Sequence, residues 1–393
     1  MFVELGELLG ERGHRVIPFC AQDERNAPSR YAEYFPVSVD TRQPSLRDIA
    51  RFVYSGPAAR SLQRLLERER VDLAHLHIYY GKLTAAVLQP LRRHGVPIVQ
   101  TLHEYKLACP VYTLTANGRP CEACFGGRYW QALPRLCNKG SLARTALSVV
   151  EAYVSKALGA IDEVDQFIAI SDFLARRMAA AGVPRERITT VHNFLDAAQY
   201  QPGTDPGDYA VFFGRLETVK GVYSLLEAFA GMPGVRLRIA GTGSEAEPMT
   251  RWLQERGVEN VELLGFVAGD ELHQLVRNAV CTVVPSEWHE PFGLTALESL
   301  ALGTPVIATR MGGLPEIITA GEDGLLVDAW HPAALRAAVL HLVEHPQRAR
   351  EMGRAGRVKV EQRFTRDQHY AELSEVYSRA QRHASQRTAA GGG

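Results

Sequence analysis

Residues 280–298 read Val280-Cys-Thr-Val-Val-Pro-Ser-Glu-Trp-His-Glu290-Pro-Phe-Gly-Leu-Thr-Ala-Leu-Glu298. The first five are apolar or β-branched and stop at a proline, which is typical of a buried parallel strand. The pattern after Gly293 is helical, so this stretch predicts a strand-to-helix junction. A helix that begins there points unpaired N–H groups and the positive end of its dipole beyond the strand, where a pyrophosphate would fit.

Two carboxylates flank this junction. Glu298 is about a turn and a half into the predicted helix, within reach of a ribose diol if the helix start holds phosphate. Glu290 is on the loop and is free to face a sugar. The alternative is an ordinary capped helix whose acidic residues complement the dipole.

Strands and amphipathic helices alternate outward from the junction with short connections, as in doubly wound parallel sheets. In the second half we predict strands at 210–213, 235–240, 261–264, 280–285, 305–308 and 325–327. The helices predicted between them span 222–229, 247–256, 269–277, 294–302 and 332–344. The first half repeats the alternation, with strands at 14–19, 73–77, 98–102, 166–170 and 188–191.

A chain of 393 residues is long enough for two hydrophobic cores. Residues 201–207 are rich in turn formers and poor in apolar side chains, so they are the predicted linker. We expect one α/β domain over 1–200 and a second over 208–364. The apolar spacing of 365–385 permits a helix that packs back on the first domain, and 386–393 is predicted to be disordered.

Basic and acidic side chains balance, at 44 of each. No net field therefore favours nucleic acid as a partner. No apolar stretch is long enough to span a bilayer, and the start lacks the segments of a secretory signal. We expect a soluble, cytoplasmic protein. Arginines 60, 64 and 68 leave peripheral contact with the inner face of a membrane open, although a solvated helix face is the preferred explanation.

Two cations flank a backbone turn near the start of the second half. Gly214-Arg215 follows a predicted strand, and Lys220-Gly221 precedes a helix. Positive side chains at a helix N-terminus oppose its dipole, so they favour a bound anion such as a diphosphate. Two solvated cations are the alternative.

Residues 285–313 contain, in this order, Pro-Ser, Glu-Pro-Phe-Gly, a second Glu, Gly-x-Pro-Val and Gly-Gly. This order resembles the donor-binding half of the retaining glycosyltransferases of family 4. The Gly-Arg-Leu, Lys-Gly and Gly-x-Gly elements upstream match the same family, and the resemblance covers most of the chain. It implies two Rossmann-like domains that face a cleft, the GT-B architecture, with the acceptor in the first domain and the donor mainly in the second.

The resemblance implies retaining transfer of a sugar from a nucleotide-diphosphate donor to a hydroxyl of a glycan, lipid-linked or small-molecule acceptor. Arg215 and Lys220 would neutralise the leaving diphosphate, so no metal is expected in catalysis. Glu290 would orient sugar hydroxyls rather than act as a nucleophile. His103 would contact the donor sugar, with a purely structural histidine as the alternative. The implied donor-binding set is Gly214, Gly241, Gly243, Gly265, Phe266, Phe292, Gly293, Leu294 and Glu298.

The start of the sequence departs from the family pattern. Family members begin with an apolar strand and a glycine-rich loop, whereas this sequence begins within the next helix, ahead of Arg12-Gly-His14. We therefore expect the first domain to lack its first strand, which would favour a non-catalytic nucleotide-sugar-binding or scaffold protein. A nucleotide-sugar epimerase of similar architecture is the third function left open.

Four cysteines, Cys109, Cys121, Cys124 and Cys137, fall in an insertion over 105–140 with the spacing C-x11-C-x2-C-x12-C. Four thiolates can coordinate a structural zinc ion in a tetrahedral geometry. An insertion without periodic apolar residues needs such a metal cross-link to be ordered. Only one pair has the tight spacing of zinc ligands, so four unlinked thiols are the alternative.

Overall fold

The computed structural model describes residues 2–39, 43–203 and 207–390, with side chains described as far as Arg387. The chain separates into two compact units. The first contains the residues up to Asn117, Cys121–Val191 and the chain from Tyr370, and the second contains Gly118–Pro120 and His192–His369.

The first unit is built on a four-stranded sheet, in which β1, β2, β5 and β6 lie in that order and all pairs are parallel. A separate two-stranded ribbon, β3 with β4, belongs to the cysteine-bearing insertion. The strands in the first half of the chain are β1 (Ala74–Leu76), β2 (Ile98–Leu102), β3 (Thr115–Ala116), β4 (Arg119–Pro120), β5 (Gln166–Ala169) and β6 (Ile188–Thr190), of which β4 is grouped with the second unit. The helices of this half are α1 (Phe2–Glu11), α2 (Leu46–Val53), α3 (Gly56–Arg68), α4 (Leu88–Arg93), α5 (Leu142–Ala157) and α6 (Asp172–Ala181).

Serine N-caps mark the start of two of these helices, and runs of apolar residues form the central strands. Ser45 forms a capping box with Asp48 at the start of α2, and the Ser141 side chain accepts a hydrogen bond at the start of α5. Every residue of β2 and of β5 is buried, as expected of central parallel strands. The last helix, α14 (Arg366–Ala390), packs three apolar positions on this sheet. Those positions are Leu373, Val376 and Ala380.

The second unit has a six-stranded sheet in the order β12-β11-β10-β7-β8-β9. Its strands are β7 (Tyr209–Phe213), β8 (Arg236–Ala240), β9 (Val261–Gly265), β10 (Cys281–Val284), β11 (Val306–Thr309) and β12 (Gly324–Val327). Its helices are α7 (Val222–Ala230), α8 (Ala246–Arg256), α9 (Gly269–Arg277), α10 (Leu294–Ala301), α11 (Leu314–Ile317), α12 (Pro332–Glu344) and α13 (Pro346–Arg363). The strand order reverses between β7 and β10, which is where parallel α/β sheets open a crevice at their carboxyl ends.

The predicted α/β class is confirmed. Three predicted segments differ from the structure: the strand at 14–19, the disordered tail at 386–393 and the linker at 201–207. Residues 14–19 form no strand, because they pair with no strand among the described residues; the nearest sheet-like contact is an isolated bridge between Gln22 and Val37. Helix α14 continues to Ala390, so 386–390 is helical rather than disordered, and 391–393 lies outside the described residues.

The boundary between the units falls after Val191, earlier than the predicted linker at 201–207. The intervening segment is tied to the second unit by hydrogen bonds to its backbone groups. Leu195 N donates to Phe364 O at 3.0 Å, and the Arg357 guanidinium donates to Tyr200 O at 2.5 Å. Residues 204–206 of the predicted linker lie outside the described residues.

Candidate functional site

Three neighbouring strands of the second unit, β7, β8 and β9, lead into glycines that lie close together. Gly241 donates its N–H to Gly265 O at 2.6 Å, and Gly214 donates to Ala240 O. Gly241 has φ +152°, and a Cβ there would lie 1.9 Å from Gly214 O. Only glycine fits such a contact, so these turns expose backbone to anything that binds at the strand ends. Gly243 is packed as closely, with a Cβ position 2.1 Å from Leu216 O.

The strand order reverses between β7 and β10, and the loops that follow these two strands contact each other. Lys220 ends a short 3-10 turn before α7, and the next residue, Gly221, has φ +73°. A Cβ on Gly221 would lie 1.9 Å from Pro285 O, and Glu287 N donates to Val219 O at 2.8 Å. The turn before α7 and the loop after β10 therefore hold each other in place.

These contacts bring Lys220 and Glu290 together. Lys220 Nζ is 2.6 Å from Glu290 Oε1, and Ser286 Oγ donates to the same oxygen at 2.5 Å. The Lys220 and Glu290 side chains are 20% and 9% exposed. Lys220 Nζ also lies 5.2 Å from the centroid of the Trp288 ring, in cation–π distance. The result is a charged pair in a mostly desolvated setting, with polar and aromatic support.

The Gly312-Gly313 turn fixes the backbone of Glu290. Gly313 N donates to Glu290 O at 2.8 Å, and a Cβ on Gly312 would lie 2.1 Å from that same oxygen. Glycine is thus required at position 312 by the close approach of two loops. The same contacts fix the backbone that carries the Glu290 carboxylate.

Helix α10 begins beside this pair. Gly293 is its N-cap with φ +123°, Leu294 is its first residue, and Glu298 is half-buried on its second turn. The ring of Phe292 is 2% exposed and lies 5.9 Å from the His192 ring. The Phe292 side chain is therefore part of the core, which leaves only its backbone for a ligand.

Two other predicted ligand contacts are exposed side chains. Arg215 Nη1 is 2.9 Å from Glu217 Oε1, and the Arg215 side chain is 57% exposed. The Phe266 ring, directly after β9, is 78% exposed. The structure therefore does not place Arg215 on Glu290, and it leaves both side chains open to solvent at the strand ends.

In the first unit, His103 directly follows β2 and contacts a second histidine. His77 Nδ1 and His103 Nε2 are 2.8 Å apart, and their rings stack with centroids 5.1 Å apart. His75 bonds to Thr101 and to Tyr377 at 2.7 and 2.8 Å. Burial lowers the pKa of His103 to about 4, so its imidazole is neutral at pH 7.

A buried ionic group lies next in the sequence. Lys106 Nζ is 2.7 Å from Glu151 Oε2, and both side chains are buried. Burial raises the pKa of Glu104 to about 7, against a smaller opposing effect of Lys106. Glu104 therefore exchanges its proton near neutral pH.

The four cysteines of the insertion are free thiols, with Cys109 and Cys124 buried. Burial raises the pKa of Cys124 to about 12, and nearby Cys109, Cys137 and Cys121 raise it further. The insertion thus gathers all four thiols in one neighbourhood. Among the described residues, however, no three His, Cys, Asp or Glu side chains are placed to hold a metal ion. The structural zinc site stays a prediction.

Some partners were not singled out from the sequence. Ser286 and Trp288 both contact the Lys220–Glu290 pair. The only signal for Ser286 was the Pro-Ser element at the strand end, and an isolated tryptophan in a loop offers none. The Lys106–Glu151 pair joins residues far apart in sequence, so no local sequence pattern predicts it.

Comparison with known families matches both halves of the chain. The model described as Glycosyltransferase Family 4 matches residues 1–199. The model described as Glycosyl transferases group 1 matches residues 200–359.

Curated relatives carry glycosyltransferase and synthase names. D-inositol 3-phosphate glycosyltransferase of Segniliparus rotundus is 30% identical over 312 residues, which cover 74% of this chain and 62% of that protein. Glycogen synthase of Mycobacterium tuberculosis is 32% identical over 209 residues, covering 50% of this chain and 49% of that protein. The chain thus spans about half to two thirds of the length of these relatives.

Solved structures share the fold. Sucrose-phosphate synthase of Thermosynechococcus elongatus aligns with a TM-score of 0.72 at 21% identity, covering 96% of this chain and 92% of that one. Anabaena HepE in complex with UDP and glucose aligns with a TM-score of 0.64 at 20% identity, covering 88% and 86%. These likenesses show the GT-B fold with two Rossmann-like domains. Since the first family model alone matches just over half of the chain, the protein belongs to glycosyltransferase family 4.

Proposed function

We propose that the protein is a retaining glycosyltransferase that moves a sugar from a nucleotide-diphosphate donor to a hydroxyl acceptor. The observation that carries the proposal is the Lys220–Glu290 pair, braced by Ser286 beside the glycine turns of the second unit. The HepE structure contains UDP and glucose, which supports a uridine nucleotide as the first donor to test.

In this proposal the donor's diphosphate competes with Glu290 for Lys220. The ammonium group is already held at the strand ends, so little side-chain entropy is lost when an anion binds. Arg215 is exposed nearby in sequence and adds a second cation. As the glycosidic bond breaks, both positive charges stabilise the negative charge that develops on the leaving diphosphate. This fills the role that a divalent metal would otherwise have, so EDTA should leave the rate unchanged.

Glu290 is proposed to accept hydrogen bonds from sugar hydroxyls. Its Oε1 already accepts hydrogen bonds from both Lys220 and Ser286, which fix the orientation of the carboxylate. The acceptor hydroxyl attacks on the face from which the nucleotide leaves, and its proton passes to a diphosphate oxygen. The contact of His103 with the sugar, implied by the family resemblance, stays a prediction.

The test is a panel of UDP-, GDP- and ADP-sugars, read first as protection against thermal unfolding and then as product formation. Transfer or slow hydrolysis with the anomeric configuration kept, as seen by NMR, supports the proposal. Inversion would remove the retaining assignment. Donor isomerised without any acceptor would establish an epimerase, and binding without turnover would establish the non-catalytic alternative.

A further inference from the structure

Arg119 lies at the tip of the β3–β4 ribbon, directly after a turn that fixes its direction. Asn117 and Gly118 form this two-residue turn, with φ +52° and +71°. Two successive positive φ angles are what a type I′ turn requires, and Asn-Gly is a favoured pair for it. The ladder continues beyond the ribbon, since Cys121 N donates to Leu114 O at 2.7 Å. A short and well-defined hairpin therefore carries Arg119.

The guanidinium of Arg119 stacks on a tryptophan of the second unit, to which Gly118–Pro120 also belong. The Arg119 Cζ atom lies 4.4 Å from the centroid of the Trp330 ring, which is within cation–π distance. Trp330 lies between β12 and α12 and has φ +57°. A bulky side chain rarely adopts this conformation, and it persists only where surrounding contacts hold the residue. Arg119 supplies one such contact.

Trp330 and Arg119 both act on the carboxylate of Glu287, in the loop after β10. Ser224 Oγ on α7 donates to Glu287 Oε1 at 2.5 Å. Burial raises the pKa of the Glu287 carboxyl, whereas the Ser224 hydroxyl, the charge of Arg119 and the indole N–H of Trp330 lower it. The indole N–H can only donate, so it favours the ionised carboxylate. We call Arg119, Trp330 and Glu287 the brace.

The backbone of the brace is tied to the Lys220–Glu290 pair. Glu287 N donates to Val219 O at 2.8 Å, and Val219 directly precedes Lys220. Glu287 is in turn on the same loop as Glu290, which is bonded to Lys220. The side chain of Glu287 is thus held by the brace while its main chain joins the two segments that carry the charged pair.

We propose that Arg119 is a positioning residue for donor binding: through the brace it holds the loop of Glu290 against the turn of Lys220. Its cation fixes the indole, and the indole helps to fix the carboxylate. The link to the donor rests on the proposed function, in which the turn binds diphosphate and the loop binds sugar. The ordering of the loop itself does not depend on that function.

The test is hydrogen–deuterium exchange of the full chain without ligand, read by mass spectrometry on peptides covering 216–222 and 285–293. R119M removes the charge and keeps a side chain of similar length. Both peptides should then exchange about 2- to 5-fold faster, as expected for the loss of one exposed cation–π contact. R119K keeps a cation above the ring and should exchange like the unaltered chain. Because Arg119 is exposed, neither variant should prevent folding.

The chain offers a matched control in α8. The guanidinium of Arg256 also lies 4.4 Å from a tryptophan ring, that of Trp252. R256M removes the same kind of contact from another part of the second unit, so it should leave the exchange of both peptides unchanged.

Protection against thermal unfolding by UDP and by UDP-glucose measures the consequence for the donor. R119M should keep most of the protection by UDP and lose part of the extra protection that the glucose adds, because the loop of Glu290 is less ordered. R119K should restore that extra protection.

Three results would overturn the proposal: unchanged exchange of both peptides in R119M, acceleration spread evenly over the second unit, or equal acceleration in R119M and R119K. Faster loop exchange in a chain that no sugar nucleotide protects would refute the proposed glycosyl transfer and leave the brace standing. Unchanged loop exchange in a chain that UDP-glucose protects would do the reverse. The two failures are therefore distinguishable.

Discussion

Replacing Lys220 by glutamine tests the charged pair most directly. Lys220 Nζ lies 2.6 Å from Glu290 Oε1, and the side chains are 20% and 9% exposed. An exposed pair is worth about 0–1 kcal/mol, whereas breaking a fully buried pair costs about 3–5 kcal/mol. Because Glu290 would keep only Ser286 as a hydrogen-bond donor among the described residues, we place the loss at about 2–3 kcal/mol.

This loss converts to a shift in melting temperature. For a domain of the second unit's size, about 1 kcal/mol corresponds to roughly 2–4 °C, so K220Q should lower Tm by about 4–12 °C. E290Q should cost less, since Lys220 keeps some contact with water and a glutamine oxygen still accepts from Ser286. The double variant should be more stable than the sum of the two single losses predicts, by about 1–3 kcal/mol.

The assay is thermal unfolding of the four proteins, followed by far-ultraviolet circular dichroism, without ligand and with UDP or UDP-glucose. K220Q should lose most of the protection given by UDP, because the diphosphate loses a cation. E290Q should keep protection by UDP and lose only the extra protection that the glucose adds. The variants are compared on the unfolding transition of the second unit, because the two units need not unfold as one.

Two results would refute the reasoning. If the single losses add without coupling, the pair does not act as a unit in solution. If K220Q binds UDP as tightly as the unaltered chain, the diphosphate is held elsewhere and the proposed role of Lys220 is wrong.

Three further predictions address other parts of the molecule. Gly241→Ala should destabilise the second unit by about 3 kcal/mol or more and remove UDP protection, because its Cβ would lie 1.9 Å from Gly214 O at φ +152°; Gly234→Ala, whose Cβ meets nothing within 4 Å, is the matched control in the same melting experiment. Since the pKa of Glu104 rises from 4.5 to about 7 on folding, its contribution to stability is present below pH 4.5 and is lost as pH rises through 7. The advantage of Glu104→Gln over the unaltered chain in urea unfolding should therefore grow between pH 5 and 7, by up to about 1.4 kcal/mol per pH unit, and a constant difference would contradict it. Elemental analysis of the reduced protein tests the predicted zinc site: one zinc per chain that C121S/C124S loses would support it, and absence of stoichiometric metal would leave the cysteines as plain thiols, in line with their placement in the structure.

Local patterns were sufficient for most elements of both sheets. The strand predicted at 98–102 coincides with β2, and the helices predicted at 269–277 and 332–344 coincide with α9 and α12. Each has a run or period of apolar residues that only one type of element can bury. The prediction failed at 14–19, where the residue pattern suits a strand but no strand in the described part of the chain pairs with it. It also failed at 386–390, where composition alone does not report that a helix continues.

The candidate site was predictable residue by residue but not in its pairings. Lys220 and Glu290 were both singled out, yet nothing in the sequence joins residues 70 positions apart into one ion pair. Arg215 was expected to act with Lys220, and the structure pairs it with Glu217 instead. Phe292 was predicted to bind the donor, and its ring is buried beside His192, which the sequence did not indicate.

The order of strands, helices and glycine turns, and with it the family, follows from the amino-acid sequence alone, because these features depend on neighbours within a few residues. Tertiary structure alone decided which charges meet, which histidines touch and which side of α5 faces outward. Those outcomes depend on desolvation and on contacts between distant segments. A helix with apolar residues on both sides can bury only one of them, and here the buried Lys106–Glu151 pair made the choice.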